Sequence, residues 1–360
     1  MEPVEHFLMG AALSRAGLNR TTGYATLVMV LAAEAPDLDV LYGLGGPVAG
    51  LEHHRGWTHT LIGTPIVAVV VVAAVWGVSR LVKRKTAVPV HWGRLLLLGW
   101  IAALSHIGLD WMNNYGVRPL WPFSPRWYEG DLLFIVEPVM LGVLALAMIV
   151  PWLLGLADRE MGARRVVFRG RGWAWFALSV IAVMLGVRVV EHNLALELMR
   201  QREWAAGEVK RVQAGPLPMT PFQWTGIVDT GDKYQTSRVD SWVGSVHTDE
   251  SEDIYWKPGL TAAMRAAEAS KLGRVYMDWA QWPLVTELSP IGDPAFATYR
   301  PVTPVIFHDM RFGYGSFIGM ISGATRGSRA EPGRSPLDGE VLVGPDGSVV
   351  EMRMGSRVPR

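Results

Sequence analysis

Apolar and polar positions divide this chain into two unlike halves. Residues 61–79, "LIGTPIVAVVVVAAVWGVS", carry no charge. They come close to the roughly 20 apolar residues that cross a bilayer as a helix. A second run, "LLLLGWIAALSHIGLDW", follows Arg94, a third covers Leu132–Ala157, and a fourth covers Trp173–Val190. Thr22–Ala35 reads as a further, shorter apolar helix, preceded by another around "EHFLMGAAL". About six helical segments are therefore expected, the first two forming a hairpin short for complete spans. Beyond about residue 200 the pattern changes. "FQWTGIVDTGDKYQTSRVDSWVG" (222–244) alternates and is rich in strand-forming residues. "EVLVGPDGSVVEMRM" (340–354) reads as two strands around a Gly-Pro-Asp-Gly turn. Residues 274–288 and 303–313 look like further strands, 259–273 like a helix, and 322–336 like a mobile loop. The expected architecture is mostly α. A polytopic helical membrane bundle over 1–195 is followed by a strand-rich soluble α+β domain over 196–360.

Charge orients the bundle. Residues 80–94 hold Arg80, Lys83, Arg84, Lys85 and Arg94, and residues 159–171 hold five arginines. Basic loops stay in the cytoplasm. His59, the 110–131 loop, the start of the Leu132 run and everything after about 192 are then expected outside. The start, "MEPVEHFLMGAALSRAG", has no basic region ahead of its apolar part, so insertion is expected from the internal segments. A formal net charge of +1 gives no reason to expect nucleic acid. There is no cysteine, so any metal must be held by His, Asp, Glu or water.

This topology carries five of the nine histidines, His6, His53, His54, His59 and His106, to one membrane face. With them come Asp37, Asp39, Asp110, Asp131 and Glu137. "SHIGLD" sets His106 and Asp110 four apart, one turn apart on a single helix face, where they suit a metal or simply bond to each other. In "APDLD", Pro36 ends a helix, so Asp37 and Asp39 can share a site as ligands or base, or serve as helix-end caps. "HHRGWTHT" spaces His54 and His59 around Gly56. Neutral imidazole is a common ligand for zinc and its neighbours. Arg55 suits a phosphate or carboxylate. Glu137 lies inside an apolar run and needs a partner, which a metal would supply. The aromatics of "DWMNNYGVRPLWPFSPRW" fit a lid over the site or an interfacial belt.

Together, "EHFLMGAAL", "APDLD", "HHRGWTHT", "SHIGLDWMNNYGVRPLWPFS" and "FIVEP" resemble the membrane-bound, metal-dependent hydrolases, also described as LexA-binding, inner-membrane-associated hydrolases. The resemblance covers roughly residues 1–160. It implies that His6, Asp37, Asp39, His54, His59, His106 and Asp110 form a metal site. Many members have Asp where this chain has Glu137, so a carboxylate ligand of longer reach is kept. A more distant similarity, to zinc-dependent phospholipase C, rests on the His106/Asp110 pair and the general order of motifs. The resulting expectation is a multi-pass protein of the bacterial inner membrane with an extracytoplasmic C-terminal domain. It would be a hydrolase using a divalent metal, zinc above all, on a phosphoester or ester of a lipid or envelope precursor. Asp37, Asp39 and Arg55 would carry catalysis, with Arg118 a second candidate for the anionic part of the substrate. The alternative is a non-enzymatic membrane protein with a structural metal site and a β-rich domain that docks a partner. Seven candidate ligands exceed what one closed tetrahedral site needs, which favours an open or two-metal site.

Overall fold

A computed structural model describes residues 2–82, 85–162, 168–248, 253–292, 301–312, 335 and 337–355. The chain is mostly helical, with an antiparallel, sheet-rich C-terminal part. Among the described residues, four helices are long and apolar enough to cross a membrane: α4 (Gly63–Leu81), α5 (Trp92–Met112), α6 (Pro138–Glu160) and α7 (Arg171–Gln201). Ahead of them, α1 (Pro3–Arg15) and α2 (Ala25–Glu34) have 13 and 10 residues. At ~1.5 Å per residue they reach about 20 and 15 Å. That is short of the roughly 30 Å apolar slab. They form a tight hairpin because Gly10 has no side chain. A Cβ there would lie 2.8 Å from the Met29 carbonyl oxygen of α2. Between α2 and α4 run a long 3-10 stretch (Ala35–Gly45), a short helix α3 (Pro47–His53) and a 3-10 turn (Trp57–His59).

Hydrogen bonds fix which helix ends share a level. The His91 amide, at the start of α5, donates to Thr22 Oγ1 before α2 (2.8 Å). At the other end, His106 of α5 meets the Ala33 carbonyl of α2. The Glu137 amide, at the start of α6, donates to Glu5 Oε1 in the first turn of α1 (3.0 Å). The ends of α2 and α5 and the starts of α1, α4 and α6 therefore gather at one end of the bundle.

The C-terminal part contains two antiparallel sheets. The first has β1 (Arg211–Pro216), β2 (Gln223–Asp229), β3 (Lys233–Asp240) and β4 (Ser245–His247) in that order, with β5 (Ile254–Trp256) also on β3. The second has the order β10-β9-β8-β6, from β6 (Pro283–Glu287), β8 (Pro301–Asp309), β9 (Gly339–Val343) and β10 (Val349–Met354); β7 (Ile291–Gly292) pairs with β8. Two helices, α8 (Ala262–Ala269) and α9 (Lys271–Trp279), pack on this second sheet. The strand expected over 274–288 is thus helix to Trp279 and strand only from Pro283. Ser270 caps α9, accepting from the Gly273 amide. Leu272, Tyr276 and Trp279 then make one buried stripe at helical spacing. The expected helix over 259–273 is split in two at the same serine.

The two parts are continuous. The division expected at 195/196 falls within α7, whose Ala195 and Met199 are buried against Trp224, Val228 and Val239 of the first sheet. Leu51 of α3, with Tyr115 and Trp127 from the segment between α5 and α6, shares a core with Tyr276, Trp279 and Phe307. Lys83, Arg84, Arg164 and Arg165, and the loop expected over 322–336 apart from Ser335, lie outside the described residues.

Candidate metal centre

Four side chains from three segments meet at this end of the bundle. His106 and Asp110 project from the last turns of α5, Asp37 from the 3-10 stretch after α2, and His59 from the turn before α4. Pro36 stops α2 and lets the chain fold back toward α5. After His59 the chain turns so sharply into α4 that a Cβ at Gly63 would fall 1.9 Å from the Trp57 carbonyl oxygen.

The donor atoms are close. His59 Nε2 lies 3.0 Å from His106 Nε2 and 3.4 Å from both Asp37 Oδ1 and Asp110 Oδ2. His106 Nε2 lies 3.4 Å from Asp37 Oδ1 and 3.3 Å from Asp110 Oδ2. A tetrahedron with metal–ligand bonds near 2.0 Å has edges of about 3.3 Å, so these separations suit a four-coordinate ion.

The chemistry of the set agrees. His106 Nδ1 faces the Ala33 carbonyl at 2.6 Å, and an oxygen that can only accept requires a proton on that nitrogen. His59 Nδ1 faces Asp39 Oδ2 at 3.2 Å, with Thr58 Oγ1 at 3.1 Å, and the same logic applies. Both Nε2 atoms then present lone pairs to each other and to two carboxylate oxygens. Two imidazole lone pairs and two carboxylate oxygens held this close favour a cation among them, either a proton or a metal. Tautomers fixed from outside in this way are typical of metal-binding histidines.

Electrostatics report the same demand for positive charge. Burial by itself would push the His59 imidazole toward neutrality, but its contacts with Asp110, Asp37 and Asp39 overcome this and raise it to about 10. Burial works to raise Asp37 and Asp39. The imidazoles of His106 and His59 around Asp37, and of His54 and His59 around Asp39, outweigh it and hold both carboxyls well below the usual range.

The remaining expected residues take other positions. His6 is fully buried, stacked on His106 with ring centroids 3.7 Å apart. Its Nε2 is 3.4 Å from Asp110 Oδ1, and among the described residues neither ring nitrogen has a hydrogen-bond partner. A buried imidazole left so is costly, and it lies one step from the four-atom group. Asp39 holds His54 Nδ1 (3.2 Å), His59 Nδ1 and the Arg55 amide (2.7 Å), so it organises the 53–59 turn. His54 stands off the group, its ring centroid 6.3 Å from that of His59. The Arg55 guanidinium is buried and donates to Asp110 Oδ1 (2.8 Å), the Gly116 carbonyl (2.8 Å) and Asn113 Oδ1 (3.2 Å). Glu137 is turned away, its Oε2 accepting from Arg188 of α7 at 2.7 Å. Asp131 is buried in a junction with the first sheet, accepting from Gln213 at 2.7 Å. Burial and the neighbouring Glu129 push its carboxyl well above the usual range.

Sequence reasoning passed over Asn113, Thr58 and Arg188. A lone arginine inside "VMLGVRVV" was the available signal for Arg188, because a charge in an apolar helix needs a partner. A cavity of about 660 Å³ is lined by His53, Gly56 and Trp57 of the same turn. Trp57, Arg118, Trp121, Trp127, Lys271 and Arg274 are among its walls. Arg118 bridges it, donating to the Glu52 carbonyl (2.9 Å) and to Asp278 of α9 (3.1 Å).

A family model described as YdjM inner membrane protein matches residues 1–195, the whole helical part up to the last turns of α7. The chain is also similar to "Uncharacterized protein YfhP" of Bacillus subtilis (strain 168). That relative is 24% identical over 247 residues, which cover 66% of this chain and 68% of the relative. No solved structure matches. The family's description states a membrane location and no reaction.

Proposed function

The chain belongs to the YdjM inner membrane protein family, and from that footing we propose that it is a membrane-bound, metal-dependent hydrolase. Its centre would sit at the outer face of the membrane and act on a phosphoester or ester of a lipid or envelope precursor. The observation that carries this reading is the convergence of ligand atoms from His59, His106, Asp37 and Asp110 within 4.8 Å of one another. His59, His106 and Asp110 are fully buried, whereas Asp37 is 18% exposed and marks the side open to a reactant. A divalent ion there, zinc by the donor set, would supply Lewis acidity and lower the pKa of water.

The chain's own groups have distinct tasks. The Ala33 carbonyl and Asp39 orient the two ligand imidazoles. Arg55 spends its charge on Asp110 and the 110–116 backbone, so it positions a ligand instead of binding substrate. His54 is 35% exposed and backed by Asp39, which suits it to take a proton at Nε2 from an attacking water and pass it to a leaving group. The aromatic, cation-bearing cavity offers space for the rest of an amphiphilic substrate. The outer placement rests on the basic loops at 80–94 and 159–171.

Four candidate ligand atoms, as many as a closed site needs, also favour a second reading, a structural ion that ties α2, α4 and α5 together. Elemental analysis of detergent-purified protein, followed by a screen with phosphodiester and phospholipid substrates, decides between these. The expected outcome is metal in the wild type, little in His106→Ala, and hydrolysis that follows metal content. Metal retained by His106→Ala would remove the site. Stoichiometric metal without turnover, with unfolding on chelation, would select the structural reading. A periplasmic reporter fused after Arg360 should be active; cytoplasmic activity would overturn the orientation.

A further inference from the structure

We propose that the first C-terminal sheet dips its lower edge into the interfacial layer of the bilayer. Two tips would act as a peripheral lipid anchor: the 217–222 turn and the 241–244 turn between β3 and β4. The inference needs only that α6 and α7 cross the membrane, and it is independent of the metal centre.

The level of these tips is set by hydrogen bonds. Arg188 lies about 26 Å along α7 from its start, near the thickness of the apolar slab. Its partner Glu137 is the residue immediately before α6. This pair therefore marks the membrane boundary at which α6 begins. The 217–222 turn is bound to that pair directly. Arg188 Nη2 donates to the Leu217 carbonyl (3.3 Å), and the Met219 amide donates to Glu137 Oε1 (3.1 Å). Met219 is held there in the left-handed region at φ 67°, uncommon for a side chain other than Gly, Asn or Asp. The second tip is fastened to the first. Both the amide and the hydroxyl of Ser241 donate to the Phe222 carbonyl, at 2.9 and 3.0 Å, and Phe222 and Trp242 pack edge to face at 5.0 Å.

The chemistry of the tips matches that level. "LPMTPF" and "SWVG" hold no charge. Met219 is 63% exposed, Trp242 73% and Val243 72%. Strands β2 and β3 run away from this edge to the 229–233 turn, which reads Asp-Thr-Gly-Asp-Lys. One sheet thus has an apolar end beside the membrane boundary and a polar end away from it. Water would penalise the first arrangement, whereas the interfacial layer favours Trp and small apolar groups.

The chain has no cysteine, so single cysteines report without background. Val243→Cys, Met219→Cys and, at the far turn, Asp232→Cys would be labelled with an environment-sensitive fluorophore. The full chain is then reconstituted into vesicles of phosphatidylethanolamine and phosphatidylglycerol. Labels at 243 and 219 should emit blue-shifted, lose signal to lipids spin-labelled near the headgroup and resist aqueous iodide, while the label at 232 does the reverse. Iodide quenching at 243 and 219 as strong as at 232 would overturn the anchor. Protection from both quenchers, as burial against a second copy would give, would overturn it as well.

Discussion

At the scale of single residues, His59 concentrates the argument. It touches three carboxylates while fully buried, so without a metal it holds a proton up to about pH 10. The sign of the consequence is definite. A histidine raised in the folded state stabilises the fold fully below its ordinary value near 6.5, and that contribution fades as pH rises toward 10. Metal-stripped protein should therefore lose thermal stability between pH 7 and 10, whereas zinc-loaded protein, with the proton replaced, should not. Melting curves of both forms across that range test this; parallel curves would remove the proton from the centre. The i, i+4 spacing made His106 and Asp110 legible as a pair in the sequence, because helix geometry is local. That His54 would face Asp39 while His59 entered the group was not legible. Both sit in one short turn, and the positive φ of Arg55 (53°) reverses the chain between them.

Between elements, the Glu137–Arg188 pair shows how a ligand expectation is redirected. Glu137 is in a place where an acid needs a partner, and the partner comes from α7, 51 residues on. Removing one member of a buried ion pair leaves the other charge stranded, at a cost of about 3–5 kcal/mol. Glu137→Ala should accordingly lower the melting temperature in detergent strongly while leaving bound metal in place. The double variant Glu137→Leu/Arg188→Met should recover much of the loss. Loss of metal in Glu137→Ala without loss of stability would restore Glu137 to the centre. At the same scale, residues 274–279 of α9 suit a strand by sequence because a short apolar run fits either period. The Ser270 cap and the stripe Leu272, Tyr276 and Trp279 decide for helix once a sheet is present to cover it.

Over the whole molecule, the C-terminal sheets sit on the same loops that build the centre. Arg311, just after β8, pairs with Asp309 (2.8 Å) and Glu129 and donates to the Asn114 carbonyl (2.9 Å). Asn114 adjoins Asn113, which holds Arg55, which in turn holds Asp110. A chain of contacts therefore runs from the second sheet to Asp110 of the four-atom group. Arg311→Ala strands buried carboxylates and should cost several kcal/mol. It should also speed metal loss to a chelator, measured by stopped-flow release. Unchanged release from a destabilised variant would show that the two parts are coupled through stability alone.

What the sequence determined by itself is what local periodicity and composition can encode. The four long apolar helices are written as uninterrupted runs, the antiparallel strands as alternation around Gly-containing turns, and the absence of cysteine restricts any metal to His and carboxylate ligands. The tertiary structure alone decided which of the candidate ligands come together. The donor atoms of Asp37, His59, His106 and Asp110 lie within 4.8 Å of one another although they are spread over some 70 residues of chain. The tautomers of His106 and His59 are set by the Ala33 carbonyl and Asp39 from outside the group. The physical reason is that coordination depends on the direction of lone pairs in space, and packing of helix ends fixes those directions only after the bundle has closed.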